Sequence, residues 1–209
     1  LLLYKTVKGT GYAELQIDRS RFISRVIRSE KREEAERFFS DIKQKHRDAS
    51  HNVPAFVLGD KMQEQWASDD GEPNGTAGAP VLSVLTATGI TNTAIIVTRY
   101  FGGIKLGTGG LIRAYTSVAK AAMENAGIAE ARAVTLLVYE STYPAFEKIK
   151  LIAGRAGFTL SDVHYSEKLC FTAIVESDND NEERVCASIS DASLGSAVLI
   201  GSRKDVVIK

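Results

Sequence analysis

In this 209-residue chain the residues whose types and spacing best suit chemistry lie in two glycine-rich runs: SDDGEPNGTAGAP, Ser68 to Pro80, and RYFGGIKLGTGG, Arg99 to Gly110. Nine of the 17 glycines fall between Gly71 and Gly110, more than packing alone calls for. A loop needs glycine where φ is positive or where another backbone or a ligand must come close. Charge separates the two runs. From Met62 to Thr98 stand Glu64, Asp69, Asp70 and Glu72 with no Lys or Arg. From Arg99 to Met123 stand Arg99, Lys105, Arg113 and Lys120 with no Asp or Glu. One acidic loop is followed by one basic segment.

The basic run leads from an apolar strand into a helix, so Thr108, Gly109 and Gly110 are expected to present N–H groups at a helix start, a natural anion site. Lys105 and Arg113 flank it. Arg113 is placed near the first turn, where a cation opposes the macrodipole and a bound phosphate or carboxylate would relieve the conflict. Arg99, Lys105 and Arg113 are expected to bind phosphates while Tyr100 or Phe101 offers a stacking face for a base; the competing reading has both rings simply capping the core and the charges solvated. Known nucleotide fingerprints do not fit. The stretch from Gly102 and Gly103 to Gly107 and Thr108 lacks the Lys-Ser/Thr ending of a Walker loop, and Gly107 to Ile112 fails the last position of GxGxxG.

The acidic run has two readings. Asp69, Asp70 and Glu72 suit a Mg²⁺ site or acid/base work on a phosphate held by the second loop, which makes a Mg-dependent enzyme acting on a phosphorylated or nucleotide substrate the alternative function. Alternatively, DDGEP is a turn whose Glu72 caps or pairs with Arg99. His46, His51 and His164 form no ligand set with cysteine, although His51 stands where it can bond to the acidic loop. There is no Gly-x-Ser-x-Gly or Cys/His nucleophile pattern. No catalytic residue, metal or cofactor is assigned, and the chain reads as a binding protein, with that enzyme as the alternative.

The elements that must position these loops follow from hydrophobic period. Gly11 to Ile17 and Arg21 to Ile27 alternate as strands. A helix follows Ser29, its N-cap candidate, with Glu33 close behind and Ala35, Phe38, Phe39 and Ile42 on one face. Val53 to Leu58 and Thr93 to Thr98 read as strands, the second fully buried. Gly78 to Ala87 and Leu111 to Asn125 read as helices, the latter closed by Gly127. From Ala131 the order becomes strand (Val134 to Tyr139), helix (Tyr143 to Ala156), strand (Phe158 to Tyr165), strand (Leu169 to Glu176), helix (Asn181 to Ile189) and strand (Ala197 to Ile208). That βαββαβ order is ferredoxin-like. Pro144 suits the first turn of its helix. The boundary between an N-terminal domain, 1–130, and a C-terminal domain, 131–209, falls without a Gly/Ser linker.

Composition bounds the partners. Hydrophobic residues make up 44% of the chain, enough to bury two cores, and 26 basic residues balance 26 acidic ones, so any polyanion contact must be local. Cys170 and Cys186 lie far apart without CxxC spacing, and no stretch approaches the ~20 apolar residues of a membrane span. A cytoplasmic protein without a membrane contact is expected; the oligomeric state stays open.

The run GAPVLSVLTATGITNTAIIVTRYFGGIKLGTGGLIRAY, Gly78 to Tyr115, together with SDDGEPNGTAGAP, resembles the signature of the IMPACT family in its bacterial YigZ/YvyE-type branch. The resemblance covers about the first 130 residues, and the βαββαβ tail looks like the C-terminal domain of the bacterial members. It implies an α+β N-terminal domain like the second domain of ribosomal protein S5 and a ferredoxin-like tail like the last domain of elongation factor G. It further implies signature roles for Asp69, Asp70, Gly71, Glu72, Gly75, Thr76 and Gly78 in the first loop. In the second, the signature positions are Arg99, Tyr100, Phe101, Gly102, Gly103, Lys105, Gly107, Gly109, Gly110 and Arg113. The family's eukaryotic relative controls translation by competing for an activator of a stress kinase. The expected partners are therefore RNA or the ribosome, or else a translation-associated protein, bound without chemistry. Val53 stands where many relatives have Cys, which removes thiol chemistry at that place.

Overall fold

The structure is a computed structural model describing residues 1–209, the side chain of Asn179 excepted. Its elements in chain order are β1 (Leu2–Val7), β2 (Gly11–Ile17), β3 (Ser20–Arg28), α1 (Arg32–Lys45), β4 (His51–Leu58), β5 (Glu64–Ala67), α2 (Gly78–Ala87), β6 (Thr93–Tyr100), α3 (Gly107–Ala126), β7 (Ile128–Ser141), α4 (Tyr143–Ala156), β8 (Phe158–Tyr165), β9 (Leu169–Glu176), α5 (Asn179–Ser193) and β10 (Val198–Ile208). They form an α+β protein with two compact units, one of Tyr4–Glu130 with Lys209, the other of Leu1–Leu3 with Ala131–Ile208.

In the first unit, five antiparallel strands run in the order β2-β3-β6-β4-β5. Successive side chains point to opposite faces of a sheet, and both faces of β4 and β6 are covered. Val53, Ala55, Val57, Ile95 and Val97 pack with Phe22 and Val26 under α2 and α3. Phe56, Leu58, Ala94 and Ile96 pack on the other side under Ala35, Phe39 and Ile42 of α1. Burial on two faces is why TAIIVT is an unbroken apolar run. The β2–β3 hairpin turns through Asp18 (φ 43) and Arg19 (φ 64), the paired positive φ values of a type I′ turn.

The second unit has the order β10-β7-β9-β8, with β1 also joined to β7. Its core sets Leu137, Tyr139, Phe171 and Val175 of the sheet against Phe146 and Ile149 of α4 and Val185 and Ile189 of α5. Gly157 (φ 83) closes α4 in the left-handed region.

Three local readings need correction. The N-cap of α1 is Lys31, not Ser29. Ser29 is drawn to the sheet end by its N–H bond to the carbonyl of Asn92, and Glu34, not Glu33, reaches back to the N–H of Glu30. The third helix begins at Gly107, four residues before its first buried leucine, because GTGG has no apolar period to reveal it. Finally, β1 and the short β5 carry no clear alternation in sequence, yet tertiary pairing recruits both into sheets. Among the described residues, no helix is long and apolar enough to cross a membrane.

Candidate functional site

The acidic loop is consumed by the fold. Asp69 Oδ1 accepts the N–H groups of Ala77 (3.1 Å) and Gly78 (2.8 Å), and Oδ2 accepts that of Gly75 (2.9 Å). It thereby caps α2 from a distance, since Ala77 has no capping side chain. Burial pushes the Asp69 carboxyl up, but the bonds from Gly75, Gly78 and Ala77 together outweigh it and hold the group below the ordinary aspartate value. Asp70 sits at φ 48, a left-handed position that Asp tolerates better than most residues. Its Oδ2 accepts the N–H of Asn52 (2.6 Å) and its Oδ1 pairs with Lys43 Nζ (2.9 Å). The ring of His51 donates from Nδ1 to the carbonyl of Asp70 (2.8 Å) and lies under Gly71. Thr76 closes the loop through a hydroxyl bond to the carbonyl of Pro73 (2.7 Å).

Glu72 points into the interior. Its Oε1 accepts Arg99 Nη1 (2.6 Å) and the hydroxyl of Tyr115 (2.7 Å), while His51 Nε2 stands 3.8 Å from Oε2. The Arg99 guanidinium lies 5.4 Å from the ring centres of both Phe22 and Phe101, and its Nη2 donates to Ser20 Oγ at 3.3 Å. Arg99 is only 5% exposed. Its charge is thus neutralised internally, and it does not stand on the surface among the other cations. Burial, reinforced by the neighbouring Glu72 carboxylate, drives the Tyr115 hydroxyl far above the normal phenol range, so it donates and does not ionise.

The basic loop is the converse. Phe101 is 48% exposed, and Gly103, Lys105, Gly107, Thr108 and Gly109 face solvent. Leu106 caps α3 without a side-chain bond, which leaves the amides of Gly107, Thr108 and Gly109 as the open donors of the first turn. Gly110, expected among them, is already within the helix. Arg113 is likewise a turn further in than the sequence suggests, but its guanidinium folds back, with Nη1 3.5 Å from where a Cβ would stand on Gly109. Helical side chains lean toward the N-terminus, so the charge reaches the first turn even though the Cα does not. Tyr100 is turned the other way: its hydroxyl donates to Asp48 (3.2 Å) and meets His46 Nδ1 (2.9 Å). Of the two aromatic rings, Phe101 is the available one.

The loop is held to the sheet by short-range contacts. Phe101 N–H donates to Ser50 Oγ (3.0 Å) and Gly102 N–H to Ser20 Oγ (3.3 Å). A Cβ on Gly102 would fall 2.0 Å from the carbonyl oxygen of Arg19, so only glycine lets the hairpin turn press against the loop. Sequence reasoning missed Ser20, which ties loop, hairpin and Arg99 together, and Arg19, an exposed cation beside Gly102. The residues Asp18-Arg19-Ser20 hint at a turn, but nothing in them specifies which distant loop it meets. Among the described residues, no group of three or more His, Cys, Asp or Glu is placed to hold a metal ion, and the carboxylates expected to do so have protein donors.

Residues 18–123 match the model of the Impact N-terminal domain. The IMPACT family member YvyE of Bacillus subtilis (strain 168) is 41% identical over 178 residues, covering 85% of this chain and 82% of YvyE. YigZ of Escherichia coli (strain K12), another IMPACT family member, is 31% identical over 187 residues, covering 88% and 91%. A crystal structure of a hypothetical protein, 28% identical, superposes with a TM-score of 0.61 over 95% of this chain and 97% of that one. Fold and loops together define an α+β protein with an Impact N-terminal domain. The chain belongs to the IMPACT family and is of the YigZ/YvyE type.

Proposed function

We propose that this protein is a non-enzymatic binding protein of the translation apparatus whose basic loop contacts the phosphate backbone of RNA, free or in the ribosome. One observation carries the reading: Gly107, Thr108 and Gly109, whose amides open α3, are exposed with the Arg113 guanidinium beside Gly109, and Lys105 and Phe101 are exposed in the loop that leads into them. Amides at a helix start and two cations attract phosphate, and an exposed ring accepts a stacked base. The rigid support beneath, Glu72 with Arg99 and Tyr115, pre-organises the loop without contributing charge to the surface. Family membership and the βαββαβ order of the second unit support a place in translation. The first unit is read as related to the second domain of ribosomal protein S5. The second is read as a ferredoxin-like domain related to the last domain of elongation factor G. A Mg-dependent enzyme fits less well, because Asp69, Asp70 and Glu72 would each have to abandon a partner within the fold before binding a metal.

The test is co-sedimentation with ribosomes, with and without nuclease, over a salt series. The unsubstituted chain should bind at low salt and release as salt rises, and Lys105→Glu with Arg113→Glu should abolish binding. Unchanged co-sedimentation of the double variant removes the loop as the contact.

A further inference from the structure

Arg19 is held in a backbone conformation that its type disfavours, and no interaction of its side chain within the fold offsets this. In the β2–β3 register Ile17 pairs with Ser20, so Asp18 and Arg19 alone make the turn. Both lie in the left-handed region, at φ 43 and φ 64. A turn of this kind favours Asn-Gly or Asp-Gly. Asp18 meets the first preference, but Arg19 stands where glycine would enter without a Cβ crowding the backbone. Its side chain is exposed, and among the described residues it makes no hydrogen bond, ion pair or ring contact. The three arginines that follow on β3 differ in this respect: Arg21 pairs with Glu14, Arg25 donates to His46 and Arg28 pairs with Glu30. A strained residue that the fold itself does not use points to a use outside it.

The turn is pressed against the basic loop. The carbonyl oxygen and the Cβ of Arg19 stand 2.0 and 2.6 Å from where a Cβ would sit on Gly102, and Gly102 N–H donates to Ser20 Oγ at 3.3 Å. Strand register puts the turn at the end of the sheet that bears the loop, since Arg21 lies opposite Tyr100. Arg19 is therefore an unpaired cation rooted beside Gly102, next in the chain to the exposed Phe101. An arginine also brings what Lys105 lacks, a planar fork of donors that grips one phosphate through two parallel bonds. That charge is useful only to something outside the fold, and the loop it adjoins already presents cations and open amides.

Resting on the reading of the basic loop as an RNA contact, we propose that Arg19 is a further phosphate-binding residue of that site, supplied by the β2–β3 turn. Co-sedimentation of the full chain with ribosomes over a salt series tests it. Arg19→Gly should weaken binding at least about tenfold at low salt. It should also make the fall of log K with log salt shallower by about 0.7–0.9, the share of one phosphate contact. The same variant should melt no lower than the parent, because glycine suits the turn. Arg19→Lys should keep the salt slope but bind more weakly than the parent, with the charge retained and the fork lost. Lys61→Gln removes an exposed cation at the opposite end of the sheet, beyond the pairing of Val57 with Thr93, and should change neither affinity nor slope. A parent that does not bind ribosomes overturns the reading of the loop and the role of Arg19 together. A parent that binds, with Arg19→Gly matching it in affinity and slope, overturns the role of Arg19 alone. So does an Arg19→Gly that melts lower, which would make the arginine a part of the turn, or a Lys61→Gln that lowers the slope as much.

Discussion

The two glycine-rich loops look alike in composition and do opposite work. In the first, Asp69 satisfies three backbone amides, Asp70 fastens β4 and α1, and Glu72 neutralises Arg99. In the second, the residues at the start of α3 and the cations Lys105 and Arg113 face solvent, without such partners among the described residues. A carboxylate turned inward is scaffold, because an ion leaves water only when protein donors replace its hydration. A cation left outward beside free amides is available to a ligand. Through Glu72 and Arg99 the acidic loop is tied to the strand that leads into the basic one.

The largest effect should come from the link between the loops. Glu72→Ala leaves Arg99 charged, buried and unpaired, at a cost of about 3–5 kcal/mol in a denaturant titration; a loss within the range of an ordinary surface change would mean that the pair is not structural. Next is Asp69→Ala, which orphans the buried N–H groups of Ala77 and Gly78 at the start of α2, frees that of Gly75 in the loop before it, and should cost about 1–3 kcal/mol. Asp69 also sets a pH dependence. Its folded pKa is depressed, so its contribution is present above the ordinary aspartate pKa of about 3.9 and is lost as pH falls through the lower folded value. Asp69→Asn should therefore flatten the acid limb of a stability–pH profile, and an unaltered limb would show that other groups govern it. Within the basic loop, Gly102→Ala should cost about 1–3 kcal/mol by driving a methyl into the Arg19 carbonyl, whereas Gly109→Ala, facing only the mobile tip of Arg113, should melt nearly as the parent does. Smallest on stability is Lys105→Glu with Arg113→Glu, expected within about 0.5 kcal/mol per site although binding is lost. A large drop in melting temperature there would erase the distinction between the loops.

Much of the fold was legible because core burial writes itself as period. Gly78–Ala87, Tyr143–Ala156, Phe158–Tyr165 and Leu169–Glu176 are found at the residues where pattern and punctuation place them. The edges were less so. GTGG hid the first turn of α3, and the EQWA of β5 is too short to alternate. In the site, residue type pointed to both loops, and the turn reading of DDGEP, with Glu72 pairing Arg99, is the geometry found. What residue type did not reveal is that Arg99 is buried, that Tyr100 turns toward Asp48 and His46, or that Ser20 and Arg19 join the loop.

By itself the sequence determined the central strands, the bodies of the helices, the segregation of acid from base and the family, since each is carried by neighbouring residues or by a contiguous motif. Which charges face water was decided only by tertiary structure. Strand pairing brings Ser20, Glu72, Arg99 and Tyr115 together from four distant segments, and a side chain's partners, not its type, settle whether its charge is consumed within the fold or offered to a ligand.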